Sequence, residues 1–426
     1  MKILLVLHSY FPRYFAGTEV YTHNLAKALA KAGHSVKIFT IEPQTRETIS
    51  KVERYYEEAV EVIKIHHPKP KPAPRLIQSV INDEYVIEFK AILDEYQPEL
   101  VHIQHLLGLS LDFIDIVKTR NIKVVFTAHD LWYKCPSLRG YFQGEKCLCT
   151  KDSASGMCAG LVIGGFYDYT KIENPLVKFL LRLDWKLQRD KRNRTFRQHL
   201  RKADLVIVPS QYLYNDILEY GLDPDKVRFI QHGIQAPSPQ LVGNKVTDKK
   251  LRFLFASHLT IDKGFALTVK NFLKLEKSGL DFTLDIYGSY SSGDLEIVSY
   301  LDRIKDSKKI KYRGTFKPTD KYEIFSKYNV VLVPSLWNEI YGLVLDEALA
   351  LKKFALVSNK GALSERVVEG KNGLIFDTSK PGDFLDKLYY IFEHQGELLN
   401  RADYPKTWID LKEHIEVIQS AYKAIL

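Results

Sequence analysis

The sequence predicts an α/β protein with two doubly wound parallel sheets. Short apolar runs alternate with helical patterns, and this alternation occurs twice along the chain. The 426 residues are too many for one ordinary core, and a composition of 45% hydrophobic and 27% charged residues is typical of a globular protein. No run of about 18 apolar residues occurs, so we expect no membrane span.

The first group of predicted strands starts at the N-terminus. Its members are short apolar runs at residues 3–7, 36–40, 100–103, 124–127 and 205–209. The opening residues MKILLVL have the lysine and the apolar run of a signal peptide, but His8 and Ser9 interrupt the run and no small-residue cleavage site follows. We therefore interpret it as a buried strand and expect a cytoplasmic protein.

The second group of predicted strands covers residues 253–256, 282–287, 330–334 and 354–358. Between the two groups, residues 235–250 (QAPSPQLVGNKVTDKK) are rich in proline and polar residues and are interpreted as a linker. The predicted domains are therefore 1–234 and 251–404. Because ligands of such sheets bind outside the carboxyl ends of the strands, we expect the active site in a cleft between the two sheets.

Segment 334–377 carries the most informative pattern, two carboxylates placed eight positions apart around a glycine. A buried strand is followed by a loop and by a helix that starts just after Gly342. The first N–H groups of a helix lack intrahelical partners and carry a partial positive charge, so they suit a diphosphate. The residues expected to bind it through their backbone are Tyr341, Gly342, Leu343 and Val344.

Glu339 and Glu347 flank this turn. We expect Glu339 in the loop and Glu347 on the first turns of the helix. Carboxylates accept hydrogen bonds from sugar and ribose hydroxyls, so the pair suits a nucleotide-activated sugar. The alternative is that both are solvated charges near the helix end.

Four features of this segment together resemble the signature of the large retaining GT-B glycosyltransferases (glycosyl transferases group 1 / family 4), which include sucrose synthases and mannosyltransferases. They are Pro-Ser followed by an aromatic residue, the E-x7-E pair, Gly342 between the glutamates, and Gly361 with Glu365 ahead of VVEGKNGLIFD. The resemblance covers nearly the whole chain. It implies the GT-B architecture, in which two Rossmann-like doubly wound domains face a central cleft and the last helix, here 405–426, packs back onto the first domain.

The resemblance also implies roles for individual residues. Glu339 is expected to contact the donor sugar near the reacting carbon, and Glu347 to bind the nucleotide ribose. His129, in VVFTAHDLWYKCP, is expected to contact the donor sugar, which makes Glu339 and His129 the predicted catalytic residues; a satisfied structural histidine is the alternative for His129. Gly17, before the predicted helix 20–31, is expected near the donor phosphate or the acceptor, with simple chain reversal as its alternative.

In the second domain, FASHLTIDKGF corresponds to the arginine and lysine that clamp the donor diphosphate in this family. Lys263 matches the lysine, whereas His258 stands at the arginine position. Histidine has neither the permanent charge nor the forked geometry of arginine. Two interpretations therefore stay open, an active transferase and a catalytically impaired scaffold that binds a nucleotide sugar or a partner.

We expect catalysis to need no cofactor and no metal, because no Asp-x-Asp motif with suitable context is apparent. Lys263, His258 and the helix start after Gly342 could stabilise the leaving diphosphate by preorganised electrostatics.

All four cysteines lie in one short segment: Cys135, Cys147, Cys149 and Cys158. In a cytoplasmic protein such clustering favours a metal site or free thiols over disulfides, although the Cys-Leu-Cys spacing differs from the common zinc-binding C-x-x-C. A structural zinc site, free or redox-active thiols, and disulfides are three alternatives that the sequence leaves open.

Residues 171–202 hold most of the chain's excess positive charge, with eleven Lys or Arg and three Asp or Glu, against +9 for the whole chain. Apolar residues recur there at helical spacing, including Val177, Leu180, Leu181, Leu183, Trp185 and Leu187. A basic amphipathic helix suits an anionic membrane surface or a lipid-diphosphate acceptor. The alternative is a solvated basic face, and no recognisable motif supports nucleic acid as a partner.

The resemblance therefore implies a hexosyltransferase (EC 2.4) that moves a hexose from a nucleoside-diphosphate sugar, UDP favoured over GDP, to a glycan or lipid-linked acceptor. The predicted setting is surface polysaccharide or glycolipid assembly, either in the cytoplasm or peripherally on the inner face of the membrane.

Overall fold

The computed structural model describes residues 1–42, 50–66, 76–136, 141–142, 145–146, 174–243, 250–400 and 403–426. The chain divides into two compact units. Unit 1 contains Met1–Phe142, Lys146–Gly233 and Leu411–Leu426, and unit 2 contains Ile234–Asp410. The chain therefore enters unit 2 after Gly233 and returns to unit 1 at Leu411.

Unit 1 is built on an eight-stranded sheet with the order β10-β9-β6-β5-β1-β2-β4-β3. All neighbours are parallel except β3, which pairs antiparallel with β4 at one edge. The strands described up to the crossing into unit 2 are β1 Lys2–Val6, β2 Ser35–Glu42, β3 Lys51–Glu57, β4 Val60–His66, β5 Leu100–Ile103, β6 Lys123–Thr127, the separately paired β7 Tyr141–Phe142 and β8 Glu145–Lys146, β9 Leu205–Val208, β10 Val227–Phe229 and β11 Gly233–Ile234.

Helices lie between these strands in chain order: α1 Gly17–Lys31, α2 Val86–Tyr96, α3 Asp112–Lys118, α4 Pro175–Leu200 and α5 Gln211–Glu219. The core of unit 1 joins apolar residues of the central strands to those of α1, such as Leu25 and Leu29. Ile418 and Tyr422 of the C-terminal residues pack into the same core, and both are fully buried. The C-terminal segment is therefore an integral part of unit 1.

Unit 2 has a six-stranded, all-parallel sheet with the order β14-β13-β12-β15-β16-β17. Its strands are β12 Leu251–Ala256, β13 Phe282–Tyr287, β14 Ile310–Tyr312, β15 Val330–Val333, β16 Phe354–Ser358 and β17 Gly373–Phe376, followed by the short β18 Ile409–Asp410 outside this sheet. Its helices are α6 Phe265–Lys277, α7 Leu295–Ile304, α8 Lys321–Ser326, α9 Leu343–Ala350, α10 Asp383–Glu393 and α11 Gln395–Leu398; α12 Leu411–Lys423 follows in unit 1.

The central strands of unit 2 are covered on both faces. Along β12, Phe253 and Phe255 belong to one hydrophobic cluster, and Leu254 and Ala256 belong to another. Because successive side chains of a strand point to opposite faces, two separate clusters mean that helices cover both sides. This confirms the predicted fold class of two Rossmann-like α/β domains with parallel sheets.

The structure confirms every predicted strand but adds others. The antiparallel edge strand β3 (KVERYYE) was missed because it is largely polar and exposed, unlike a buried parallel strand. The last helix begins at Leu411 rather than at 405. In the described part of the chain, no helix combines the length and the apolar character needed to cross a bilayer.

Candidate functional site

Glu339 lies in the loop after β15, where its side chain is buried and hydrogen-bonded. Only 5% of the residue is exposed, and its Oε1 accepts three hydrogen bonds. The donors are Lys263 Nζ at 2.6 Å, Ser335 Oγ at 2.6 Å and Trp337 Nε1 at 3.0 Å. A carboxylate held this way is fixed in position and its charge is compensated by the ammonium group. The alternative of a solvated charge is therefore wrong for Glu339.

A close backbone contact also fixes Glu339. Its carbonyl accepts a hydrogen bond from Ala362 N at 2.7 Å, and its backbone forms an isolated parallel bridge with Gly361. Gly361 has a φ of +58°, and a Cβ added there would lie 2.1 Å from the Glu339 carbonyl oxygen. Only glycine permits this approach. The family-like Gly361 thus has a physical role, which is to let two loops pack at the Glu339 backbone.

A second glycine brings Lys263 to the same loop. Gly264 has a φ of +79° and precedes α6, and a Cβ there would lie 2.0 Å from the Pro334 carbonyl oxygen. The neighbouring Leu336 N donates a hydrogen bond to Asp262 O at 2.7 Å. These contacts join the loop after β12 to the loop after β15. As a result Lys263, which lies 76 positions from Glu339 in sequence, reaches its carboxylate.

The helix predicted to bind the diphosphate begins where the sequence indicated. Gly342, with a φ of +87°, is the N-cap of α9, so Leu343 and Val344 are its first helical residues. Tyr341 precedes the cap and is 5% exposed. The predicted backbone site, Tyr341 to Val344, therefore lies at the N-terminal end of an eight-residue helix.

Two buried charged residues that sequence reasoning missed, Asp346 and Arg366, contact Tyr341 in this turn. Asp346 Oδ1 lies 2.7 Å from Arg366 Nε, and Asp346 accepts a hydrogen bond from the Tyr341 hydroxyl. Arg366 donates to the Tyr341 carbonyl and lies 4.1 Å from the centre of its ring. Burial raises the pKa of Asp346 to about 6, although Arg366 acts in the opposite direction. An aspartate within the apolar run LVLDEALA was the signal that could have revealed this pair.

Glu347 is also buried and paired. It is 8% exposed, and its Oε1 accepts a hydrogen bond from Lys321 Nζ at 2.6 Å. Lys321 begins α8, which follows β14 and a short 3-10 turn. The alternative of a solvated charge is wrong for Glu347 too. Unit 2 thus presents two lysine–glutamate pairs, one at each glutamate of the E-x7-E pattern.

His258 lies in the loop after β12 and is exposed. Its Nδ1 is 2.9 Å from Ser289 Oγ. Because an exposed imidazole near a hydroxyl is not a fixed positive charge, the structure supplies no equivalent of the arginine fork at this position.

In unit 1, His129 follows β6 and lies within a group of aromatic rings. Its ring centre is 5.0 Å from that of Tyr21 and 5.1 Å from that of His232. Its Nε2 is 2.8 Å from Gln104 Oε1. Burial, assisted by the nearby His105, lowers the pKa of His129 to about 3, so the ring is neutral at physiological pH. A neutral ring can donate or accept a hydrogen bond without bringing a charge.

Near the carboxyl ends of β1 and β5, unit 1 buries polar atoms that have no hydrogen-bond partner among the described residues. They are His8 Nδ1, Glu19 Oε2 and Gln104 Nε2. The other oxygen of Glu19 accepts a hydrogen bond from Ser9 at 2.5 Å. Buried polar atoms normally find a partner, so these three atoms mark places suited to water or a polar ligand. Sequence reasoning assigned neither Glu19 nor Gln104 to the site, although Glu19 lies two positions after Gly17.

Gly17 is the first residue of α1, three positions earlier than the predicted helix start. A Cβ added there would meet nothing within 4 Å. The space next to the Gly17 Cα is open, so packing against the described residues does not require a glycine at this position.

The cysteine prediction falls largely outside the described residues. Cys135 is 2% exposed, whereas Cys147, Cys149 and Cys158 lie outside the part of the chain that the structure describes. In the described ranges, a set of potential metal ligands occurs at Asp112, Asp115 and His199. There Lys202 Nζ lies within 2.8 Å of both Asp115 oxygens, which makes an ordinary ion-pair network the simpler interpretation.

Comparison with protein families assigns both halves of the chain. The model of Glycosyltransferase Family 4 matches residues 15–236, and the model of Glycosyl transferases group 1 matches residues 241–406. One relative is the lipopolysaccharide 1,2-N-acetylglucosaminetransferase of Salmonella typhimurium, which is 28% identical over 181 residues. The match covers 39% of this chain and 47% of that protein.

Solved structures share the fold over the full length. Sucrose-phosphate synthase from Thermosynechococcus elongatus has a TM-score of 0.69 at 16% identity, covering 100% of this chain and 98% of the other. The Anabaena protein Alr3699/HepE in complex with UDP-glucose has a TM-score of 0.63 at 16% identity, covering 100% of both chains. The chain therefore belongs to Glycosyltransferase Family 4 and has the two Rossmann-like α/β domains of GT-B glycosyltransferases.

Proposed function

We propose that this glycosyltransferase moves a hexose from a UDP-sugar to a glycan or lipid-linked acceptor, with retention of anomeric configuration and without a catalytic metal. The observation that carries the proposal is the buried Glu339 carboxylate, fixed by three donors in the loop before a helix N-terminus. Such a carboxylate is already oriented before the donor arrives, which is the condition for electrostatic stabilisation of a transition state.

In this proposal unit 2 binds the donor. The N–H groups of Tyr341 to Val344, at the N-terminal end of α9, bind the diphosphate. Lys263 adds positive charge and His258 adds a hydrogen-bonding ring. Glu347 accepts hydrogen bonds from the ribose hydroxyls. Its hydrogen bond from Lys321 orients the carboxylate, as a good acceptor requires.

The proposed reaction breaks the bond from the anomeric carbon to the diphosphate and forms a bond from that carbon to the acceptor oxygen on the same face. The acceptor hydroxyl proton goes to the leaving diphosphate, so no separate base is required. Glu339 stabilises the positive charge that develops on the sugar, and Lys263 and His258 stabilise the leaving group. His129 contacts the donor sugar as a neutral hydrogen-bonding group, which its low pKa permits.

Two relatives support the choice of substrates. The Anabaena structure with the same fold contains UDP-glucose, which favours a uridine donor. The Salmonella relative acts on lipopolysaccharide, which favours a surface glycan or glycolipid as acceptor.

A panel of UDP-, GDP- and ADP-sugars tests the proposal on the full-length protein. For each donor, thermal stabilisation reports binding, and release of the nucleoside diphosphate reports turnover. We expect one UDP-sugar to do both, and the anomeric proton coupling of the product to show the donor's configuration. Stabilisation without release would instead favour a scaffold that binds the donor without turnover. No response to any donor would contradict the proposal.

A further inference from the structure

The basic helix, α4 (Pro175–Leu200), has two apolar sides of which only one faces the interior of unit 1. On the inner side, Trp185 and Phe196 are at most 2% exposed, and Arg192 is fully buried. Arg192 donates a hydrogen bond to the Trp132 carbonyl at 2.6 Å and lies 5.3 Å from the Trp132 ring centre. This side therefore accounts for the packing of the helix onto the domain.

The other side carries large apolar residues in solvent. Leu176, Phe179, Leu180, Leu183 and Leu187 are between 45% and 64% exposed. We call these five residues the apolar stripe. At about 100° per residue, Leu176, Leu180, Leu183 and Leu187 fall within about 60° of one another, on the side opposite Trp185. A contiguous apolar surface of this kind on a globular protein is normally covered by something.

The charge of the basic helix indicates what covers the apolar stripe. Its 26 residues include eight Lys or Arg and two Asp. Lys186 is exposed beside the stripe, as is Asp184, and Lys191 and Arg194 are exposed one and two turns beyond its C-terminal end. Among these described side chains, three cations therefore outnumber one carboxylate. A surface that combines apolar side chains with a surplus of cations is complementary to one that combines acyl chains with anionic headgroups.

A second copy of this chain fits the stripe poorly. Pairing two basic helices would place two surfaces with an excess of positive charge against each other, and each chain already has a net charge of +9. An isologous dimer places the same patch on both sides, so it cannot supply the missing negative charge.

We propose that the apolar stripe lies in the surface of an anionic phospholipid bilayer, with the bordering lysines and arginines at the headgroups. The helix then lies parallel to the bilayer plane and does not span it. This proposal does not rest on the proposed transfer reaction, since binding to lipid requires neither donor nor acceptor. It would place an acceptor that is itself anchored in the same surface within reach of unit 1.

Vesicle flotation of the full-length protein tests the proposal. The vesicles contain phosphatidylcholine alone or phosphatidylcholine with about 40 mol% phosphatidylglycerol, at about 0.1 M and about 0.5 M salt. We expect flotation with the anionic vesicles at low salt, little with phosphatidylcholine alone, and a marked loss at high salt. Failure of the wild-type protein to float with anionic vesicles at low salt would overturn the proposal.

Variants distinguish binding through the apolar stripe from nonspecific adsorption of the protein to vesicles. Leu180→Glu, Leu183→Glu and Leu187→Glu together should weaken partitioning by at least about tenfold. The matched control is Ile87→Glu, because Ile87 is 80% exposed on α2 of the same unit and lies outside the stripe. It should leave flotation unchanged. Circular dichroism and thermal unfolding verify that each variant folds.

A second triple variant with serine at the three leucines removes apolar area without adding negative charge. It should also lose flotation, and equal flotation of this folded variant and the wild type would overturn the proposal. Sedimentation velocity provides the remaining outcome. If the wild type is a dimer that the serine variant converts to a monomer, the stripe is a protein interface and the bilayer proposal is wrong.

Discussion

Replacing Arg366 with methionine should destabilise unit 2 and loosen the turn before α9. The substitution keeps a long apolar stem but removes the charge that faces Asp346, whose side chain is fully buried. Removing one partner of a buried ion pair costs about 3–5 kcal/mol, because the other charge stays in the interior. The variant also loses the hydrogen bond to the Tyr341 carbonyl.

The size of this effect depends on the protonation of Asp346. Because burial already raises its pKa to about 6, loss of Arg366 should raise the pKa further and neutralise the carboxyl at pH 7. Because the neutral carboxyl is less costly to bury than a carboxylate, the free energy of unfolding should fall by about 3 kcal/mol, the lower limit of that range. At about 2–4 °C per kcal/mol, the melting temperature of unit 2 should fall by about 6–12 °C. The loss should be smaller at pH 5, where Asp346 is mostly neutral in the wild type.

Calorimetry of the full-length protein measures the change, and hydrogen exchange of peptides from residues 334–366 assigns it to unit 2. The matched control is Arg313→Met, which breaks the solvent-exposed pair of Arg313 Nε with Asp285 Oδ1 at 2.9 Å. It should cost no more than about 1 kcal/mol. The double variant Asp346→Asn/Arg366→Met should recover much of the stability. An Arg366→Met melting temperature equal to that of the control would refute the reasoning.

Two further predictions concern loop packing and pH. Gly264→Ala should lose much more stability and activity than Gly279→Ala, although both glycines have a φ near +80°, because an added Cβ would lie 2.0 Å from a carbonyl oxygen at Gly264 and would meet nothing within 4 Å at Gly279. Equal melting temperatures of the two variants would contradict the close contact at Gly264. Burial lowers the pKa of His129 to about 3 and of His414 to about 4, so their contribution to the stability of unit 1 is full above pH 6.5 and is lost as the pH falls toward those values. At pH 5.5 each should cost about 1 kcal/mol relative to pH 7.5; an acid-induced loss that is no smaller in His129→Asn would show that this ring does not titrate as described.

Local patterns sufficed for the strand and the helix start on either side of Glu339, although α1 begins three positions before its predicted start. VVLVPS became the buried strand β15, and the helix after Gly342 began at the residue that the glycine indicated. Apolar runs and glycines act over a few residues, so the sequence displays them directly.

Contacts between distant residues were not predictable in the same way. The Lys263–Glu339 pair joins loops that follow two neighbouring strands, and the glycines that allow it act through backbone contacts. Asp346 and Arg366 carry ordinary residue types whose burial depends on the packing of α9. Spacing along the chain contains no record of such tertiary contacts.

The basic helix shows a third limit. Its apolar residues repeat with helical spacing, but the pattern alone did not tell which ones face the interior. The structure buries Trp185 and exposes Leu180, Leu183 and Leu187 on the opposite side. A helix with apolar residues on both sides gives a weak amphipathic signal, so only the fold assigns them.

The central claim, that the fixed Glu339 carboxylate serves sugar transfer, is tested most directly by Glu339→Gln. The variant keeps the size of the side chain and an oxygen that can accept hydrogen bonds, but removes the negative charge beside Lys263. Its control is Glu369→Gln at an exposed carboxylate paired with Lys387. Single-turnover release of the nucleoside diphosphate should fall at least about a hundredfold in Glu339→Gln, with donor binding near that of the wild type and the control unaffected. Loss of the ion pair with Lys263 should also lower the melting temperature, so release is measured well below the melting temperature of the variant. Near-normal release by Glu339→Gln would contradict the account.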